Sequence, residues 1–169
     1  MYNGNYYQLM ADYNQWINQG LYTVCAALTD EQRKSDRGAF FKSIHGTLNH
    51  ILWADRIWLA RFQAQTYPQT RMGEEPYADF GQLRAERAAM DAAIRQWAGE
   101  LNHDWLQQPL SFTSVSDGKT RSAPAWVFIA HMFNHQTHHR GQVTTLIKQY
   151  GLDPGVMDMP WMPGAVDYQ

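Results

Sequence analysis

Cysteine is nearly missing from this chain: one residue, Cys25, in 169. That excludes an internal disulfide framework and any Cys-rich metal cluster, and it fits a reducing compartment. Basic excess is missing too, since 14 Lys and Arg stand against 16 Asp and Glu for a formal charge of -2. The bases are scattered rather than gathered on one face, so the footprint needed for a phosphate backbone is absent and nucleic acid is not an expected partner. No apolar run approaches the ~20 residues of a membrane span, and Met1 to Met10 is polar and tyrosine-rich without a basic patch leading into an apolar stretch. The expectation is a soluble, cytoplasmic protein with no membrane partner. What the chain does hold is apolar material, 44% of its residues, with 7 Trp and 9 Tyr. That suffices for one compact domain over residues 1–169.

Apolar periodicity predicts four long helices. Tyr6, Leu9, Met10, Tyr13, Trp16, Ile17, Leu21, Val24 and Leu28 keep a three-four spacing until Thr29 and Asp30 interrupt it. The charged segment Asp30 to Gly38 reads as a connection, before a second helix from about Phe40 or Ser43 to Phe62. Pro68 to Pro76 breaks the pattern and reads as a loop. A third helix spans Phe80 to Leu101, with Leu83, Met90, Ile94 and Trp97 as its buried stripe and Arg87 as the one polar interruption. From Asp104 to Ala123 the pattern alternates around Asp117-Gly118, which signals a small β-hairpin. The fourth helix runs from about Pro124 to Tyr150, with Ser122 as N-cap and Gly151 as its stop. Residues 151–169 then form a tail over the bundle.

The chemistry sits in histidine. His131, His135 and His139 recur every four residues between Ala125 and Val143, and such residues stack on one helical face, where two neutral imidazoles can close on one ion. His138 is rotated ~100° from His139 and belongs to the surface or an interface. His50 is the best third donor, mid-helix between Leu48 and Ile51 and in register with Trp53 or Ala54 and Ile57. The pairs His135/His139 and His131/His135 both satisfy the spacing. Three imidazoles would leave open positions on a divalent ion. Zinc or nickel suits them best, with iron, copper or manganese as alternatives, and an open position permits a bound, acidified water.

Competing metal chemistries lack their residues. Gln136 follows His135 where a metalloprotease helix needs glutamate, no C-x-x-C-H attaches a haem, and no E-x-x-H pair accompanies these histidines as a di-iron bundle requires. Cys25, among Val24, Ala26 and Ala27, reads as a small buried hydrophobe, and His45 and His103 as structural or exposed. Trp53, Trp58 and Trp126 are candidates to wall an apolar pocket above the metal. Gln142 can accept a bond from a ligand imidazole whereas Arg140 cannot, and Arg140 with Gly141 reads as helix packing.

Two blocks, F-F-K-S-I-H-G-T-L-N-H-I-L-W-A-D-R-I-W-L (Phe40 to Leu59) and H-M-F-N-H-Q-T-H-H-R-G-Q-V (His131 to Val143), together with the hairpin and Asp158, carry a resemblance over nearly the whole chain. It resembles the DinB family, the YfiT-like, DNA-damage-inducible metal-dependent bundle proteins. The resemblance implies an all-α antiparallel four-helix bundle with a small hairpin between helices 3 and 4, and metal ligands at His50, His135 and His139. His131 then becomes a pocket or supporting residue, beside Gln142 and Trp53. Relatives in the wider superfamily are isomerases and S-transferases that use low-molecular-weight thiols. One branch has a carboxylate ligand where this chain has histidine, so that branch's reaction is not transferred. The expectation is therefore a metal-dependent small-thiol S-transferase or hydrolase acting on a small molecule as a homodimer. The alternative is a non-catalytic, stress-response protein whose metal is structural or sensory.

Overall fold

The computed structural model describes residues 4–67, 73–114 and 117–165. Among them are six α-helices and one two-stranded antiparallel sheet. Four helices are long: α1 (Gly4–Ala26), α3 (Ile44–Phe62), α4 (Phe80–Glu100) and α6 (Ala125–Lys148). Two are short, α2 (Asp30–Lys34) and α5 (His103–Gln107), and β1 (Pro109–Thr113) pairs with β2 (Thr120–Pro124). Helix α1 packs on α4 and α6, and α3 packs on the same two. Their apolar stripes meet in one core, where Leu21, Leu52, Leu83, Ile129 and Ile147 are wholly buried.

Local chemistry sets the helix starts. Ser43, in extended conformation, accepts the Gly46 N–H on its Oγ at 3.0 Å and begins α3, while Asp79 caps α4 through the Gln82 N–H. Each cap satisfies a donor that a helix leaves without an intrahelical partner. The expected connection after Asp30 contains α2, because Thr29 and Gln32 form a capping box with bonds of 3.1 and 2.8 Å. Asn102 likewise caps the unforeseen α5. Gly151, at φ 73°, takes the left-handed conformation that ends α6 as expected. Ser122 is not the α6 cap. The β-ladder runs on to the pair Pro109↔Pro124, so Ser122 is held in the hairpin, where its Oγ accepts from Ser111, and the cap position falls to Pro124.

The core is less apolar than the stripes suggested. Asn14 and Asn18 of α1 are buried, whereas Tyr6 is about half exposed. Arg87 is not the one polar interruption of α4, because Asp91 is buried one turn later. Arg87 bonds Asp55 of α3 at 2.6 Å and lies 2.9 Å from Asp91. Asn14 and Asn18 donate to Asp91, Gln136 of α6 donates to Asp55, and Arg140 donates to Asn14. Two buried cations thus face two buried anions, and the network joins all four long helices. Such groups survive burial only when paired and hydrogen-bonded.

The loop expected at Pro68 to Pro76 and the tail at 151–169 lie partly outside the described residues. Up to residue 165 the tail does lie on the helices: the Tyr13 hydroxyl donates to the Met157 carbonyl at 2.6 Å and Met162 is buried. No helix among the described residues is long and apolar enough to cross a membrane.

Candidate metal centre

The packing of α3 on α6 brings His50 against His135 and His139. His50 Nε2 and His135 Nε2 are 3.1 Å apart. The ring centroids stand 4.7 Å apart for His50 and His139 and 4.4 Å for His135 and His139. One ligand nitrogen from each of the three lies within 4.8 Å of the others. Nitrogens bound to one tetrahedral zinc at ~2.1 Å stand ~3.4 Å apart, so small side-chain rotations would suffice to close the set on an ion. Of the two pairs that spacing allows, His135/His139 is the one that lies together with His50. His131 stays outside the cluster, its ring 5.1 Å from Trp58 and 5.7 Å from His135.

Electrostatics favours the ligand form of each imidazole. Burial, with the neighbouring histidines adding to it, pushes His50 and His135 down to about 3. His139 is lowered mainly by burial, against its hydrogen bond to Gln142, which pulls it up. His139 Nδ1 donates to Gln142 Oε1 at 2.8 Å, which leaves Nε2 with the lone pair. The Gln142 amide also reaches His138 Nε2 at 3.3 Å, and His138 itself is exposed. His50 has no such acceptor among the described residues, and its buried Nδ1 is unpaired. Its ring is held by stacking instead: Phe41 lies 3.8 Å away at 20°, and Trp53 flanks it at 5.6 Å.

Phe41 reaches that place because of Gly46. The turn Ala39–Lys42, closed by the Lys42 N–H on the Ala39 carbonyl at 2.8 Å, folds over the first turn of α3. A Cβ at Gly46 would come inside 3.0 Å of the Phe41 carbonyl oxygen. Only glycine admits so close an approach.

The three histidines border a cavity of about 760 Å³. Trp53, Ile57, Trp58, Phe112 and Phe128 give it apolar walls, and Arg61, Arg121, His131 and His138 are its cationic or titratable members. Apolar walls with a few convergent polar groups are the usual make-up of a small-molecule site. The hairpin closes one side, with Phe112 packed edge-on against Trp58 at 5.0 Å.

Trp126 does not wall this cavity. It lies on the outer side of α6 and is 44% exposed. Gly141 does not serve helix packing either, because no atom would lie within 4 Å of its Cβ. Arg140 is structural, as read from sequence, and so is the buried His45, whose Nε2 bonds the Tyr77 carbonyl at 2.7 Å. Cys25 is fully buried and its thiol is pushed up to about 12, which makes it inert. Sequence reasoning missed Phe41, Arg61 and Phe112. Arg61 had a readable signal, since it continues the stripe His50, Ala54, Ile57.

The family model described as "DinB family" matches residues 1–166. The chain is 24% identical over 144 residues to the "Protein DinB" of Bacillus subtilis (strain 168), covering 83% of each chain. It is also similar to the crystal structure of a DinB-like protein from Bacillus cereus ATCC 10987, at 25% identity and a TM-score of 0.65, over 85% of this chain and 91% of that one. A match over so much of the sequence, around a histidine cluster on α3 and α6, places the protein: the chain belongs to the DinB family.

Proposed function

We propose that this protein is a metal-dependent enzyme that holds one divalent ion on His50, His135 and His139 and acts on a small molecule in the adjoining cavity, as a small-thiol S-transferase or a hydrolase. The observation that carries this reading is the convergence of three neutral imidazoles on the wall of an apolar cavity of about 760 Å³. A histidine-only donor set suits zinc or nickel, with iron, copper or manganese also accepted by imidazole. When bound, the ion would supply Lewis acidity, lowering the pKa of a water or thiol toward neutral pH.

The chain's own residues do the rest. Gln142 keeps the His139 proton on Nδ1. Phe41 and Trp53 fix the His50 ring and keep water from it. Trp58 and Phe128, stacked 5.5 Å apart, take up the apolar part of the substrate. In this reading the four long helices form an antiparallel four-helix bundle of the DinB/YfiT type, and the working unit is a cytoplasmic homodimer. Sedimentation equilibrium checks the latter.

The buried Arg87 network favours catalysis over a purely structural metal, because it ties the same helices together without an ion. A structural metal would take the fold with it on chelation.

The test is metal analysis of untagged protein and of His50→Ala, His135→Ala, His139→Ala and the control His131→Ala. About one ion per chain, lost in the first three and kept in the control, is expected. Loss only with His131→Ala would overturn the ligand set. Unfolding by chelator, followed by circular dichroism, would favour the structural metal.

A further inference from the structure

Arg61 is a cation in an apolar wall that no anion answers among the described residues. Its guanidinium lies 4.7 Å from the centre of the Trp58 ring and 4.3 Å from that of Phe112. Aromatic faces hold such a cation through their quadrupoles while its N–H edges stay free. Among the described residues no acceptor takes a hydrogen bond from it. Burial lowers its pKa and no carboxylate raises it, yet it stays charged at neutral pH. The contrast is Arg121, the other arginine of the cavity, which Asp117 engages with both carboxylate oxygens at 2.6 and 3.0 Å. Arg56 likewise has Glu86.

Position gives the free cation a meaning. His50 and Arg61 are eleven residues apart on α3, about three turns, so both lie on the cavity face with Arg61 ~16 Å further along the axis. Side chains lean toward a helix N-terminus, which brings the guanidinium back over Trp58 and toward the histidines. The Trp58 and His131 rings, 5.1 Å apart, fill the interval. One end of the cavity therefore offers nitrogen donors, the middle offers aromatic surface, and the far end offers an unpaired fork of N–H groups.

We infer that Arg61 is the anion-binding end of the substrate pocket, and that the cavity takes an elongated small molecule bearing a carboxylate at one end and an apolar body of ~10 Å reaching the histidines. This deepens the proposed function and rests on it only for the reacting end of the molecule. The carboxylate belongs either to the thiol or to the compound that the thiol, or water in a hydrolase, attacks.

The experiment is calorimetric titration of metal-free protein with 6-phenylhexanoate and with its neutral counterpart 6-phenylhexan-1-ol. The carboxylate should bind about tenfold tighter or more, as charge-assisted bonds to a half-buried guanidinium allow. Arg61→Met should erase that preference and leave the alcohol's affinity unchanged, which also reports that the pocket is intact. Arg61→Lys should keep part of it, since the charge stays but the fork is lost.

Equal affinities in the parent protein, or equal weakening of both ligands in Arg61→Met, would overturn the inference. Should Arg61→Met fail to fold, the parent ratio and Arg61→Lys decide alone. His139→Ala should abolish zinc binding while sparing the carboxylate preference, so failure of the metal site and failure of Arg61 are told apart. Titrating zinc-loaded protein with 8-mercaptooctanoate assigns the source. Tightening by zinc that depends on Arg61 places the carboxylate on the thiol, and tightening independent of Arg61 places it on the attacked compound.

Discussion

Replacing Gly46 by alanine should destabilise this protein although alanine is the better helix former. Gly46 lies in the first turn of α3, beneath the turn that carries Phe41. In an open helical position the exchange gains ~0.5–1 kcal/mol by lowering backbone entropy in the unfolded chain. Here the added Cβ would come inside 3.0 Å of the Phe41 carbonyl oxygen and lie 2.9 Å from Glu75 Oε1, where ordinary contact begins at 3.4 Å. The Glu75 side chain can swing away. The Phe41 backbone cannot, because the Lys42 and Arg37 N–H groups anchor its turn at 2.8 Å each and Lys42 already stands at φ 64°. Overpacking of this kind costs ~1–3 kcal/mol, so a net loss of ~1 kcal/mol remains, or ~2–4 °C in Tm for a chain of this size. The displaced Phe41 would also release the His50 ring it stacks on, weakening zinc binding ~10-fold. Gly20→Ala on α1, where nothing lies within 4 Å, is the matched control and should raise Tm by ~1–4 °C. Calorimetric melting of both variants and competition with a chromophoric chelator decide the matter. If Gly46→Ala stabilised the fold as Gly20→Ala does, the clamp reasoning would be wrong.

Asp55→Ala should lose ~3–5 kcal/mol in urea unfolding, because it leaves two buried cations, Arg87 and Arg140, with Asp91 as the one buried carboxylate between them, and a loss under ~1 kcal/mol would show that the network relaxes around water. Gln142→Ala should weaken zinc binding ~10–100-fold while Gln142→Glu, which keeps an acceptor for His139 Nδ1, should weaken it less; equal effects would deny Gln142 its orienting role. Burial depresses His50 and His135 to about 3 from an ordinary value near 6.5. Between those values the unfolded chain binds more protons than the folded one, so this contribution is full above ~6.5 and is lost as pH falls toward ~3. Chelator-treated protein should therefore lose stability more steeply over that window than His50→Gln, and identical pH profiles would refute the burial argument.

Much of this protein was legible in its sequence. Periodicity located α1, α3, α4 and α6 within a few residues, and Asp117-Gly118 located the hairpin, because helical stripes and turn residues act locally. His50, His135 and His139 stood out by spacing and by family resemblance, and the structure brings them together. The misreadings share a cause. Ser122 looks like a cap until Pro109 is known to pair with Pro124, and Gly141 looks like a packing glycine until its surroundings prove open. Arg87 looks like the one polar interruption of its helix until Asp91 is found buried one turn on, between Arg87, Asn14 and Asn18.

The sequence by itself determined the four long helices, the hairpin turn and the donor chemistry, since each depends on side chains within one or two turns. Only the tertiary structure decided which histidine pair of α6 meets His50, how Phe41 clamps it and which of the two cavity arginines is left without a counter-ion among the described residues. Those outcomes depend on where α3, α6 and the hairpin cross, and residues as far apart as His50 and His135 or Arg61 and Phe112 carry no mutual signal along the chain.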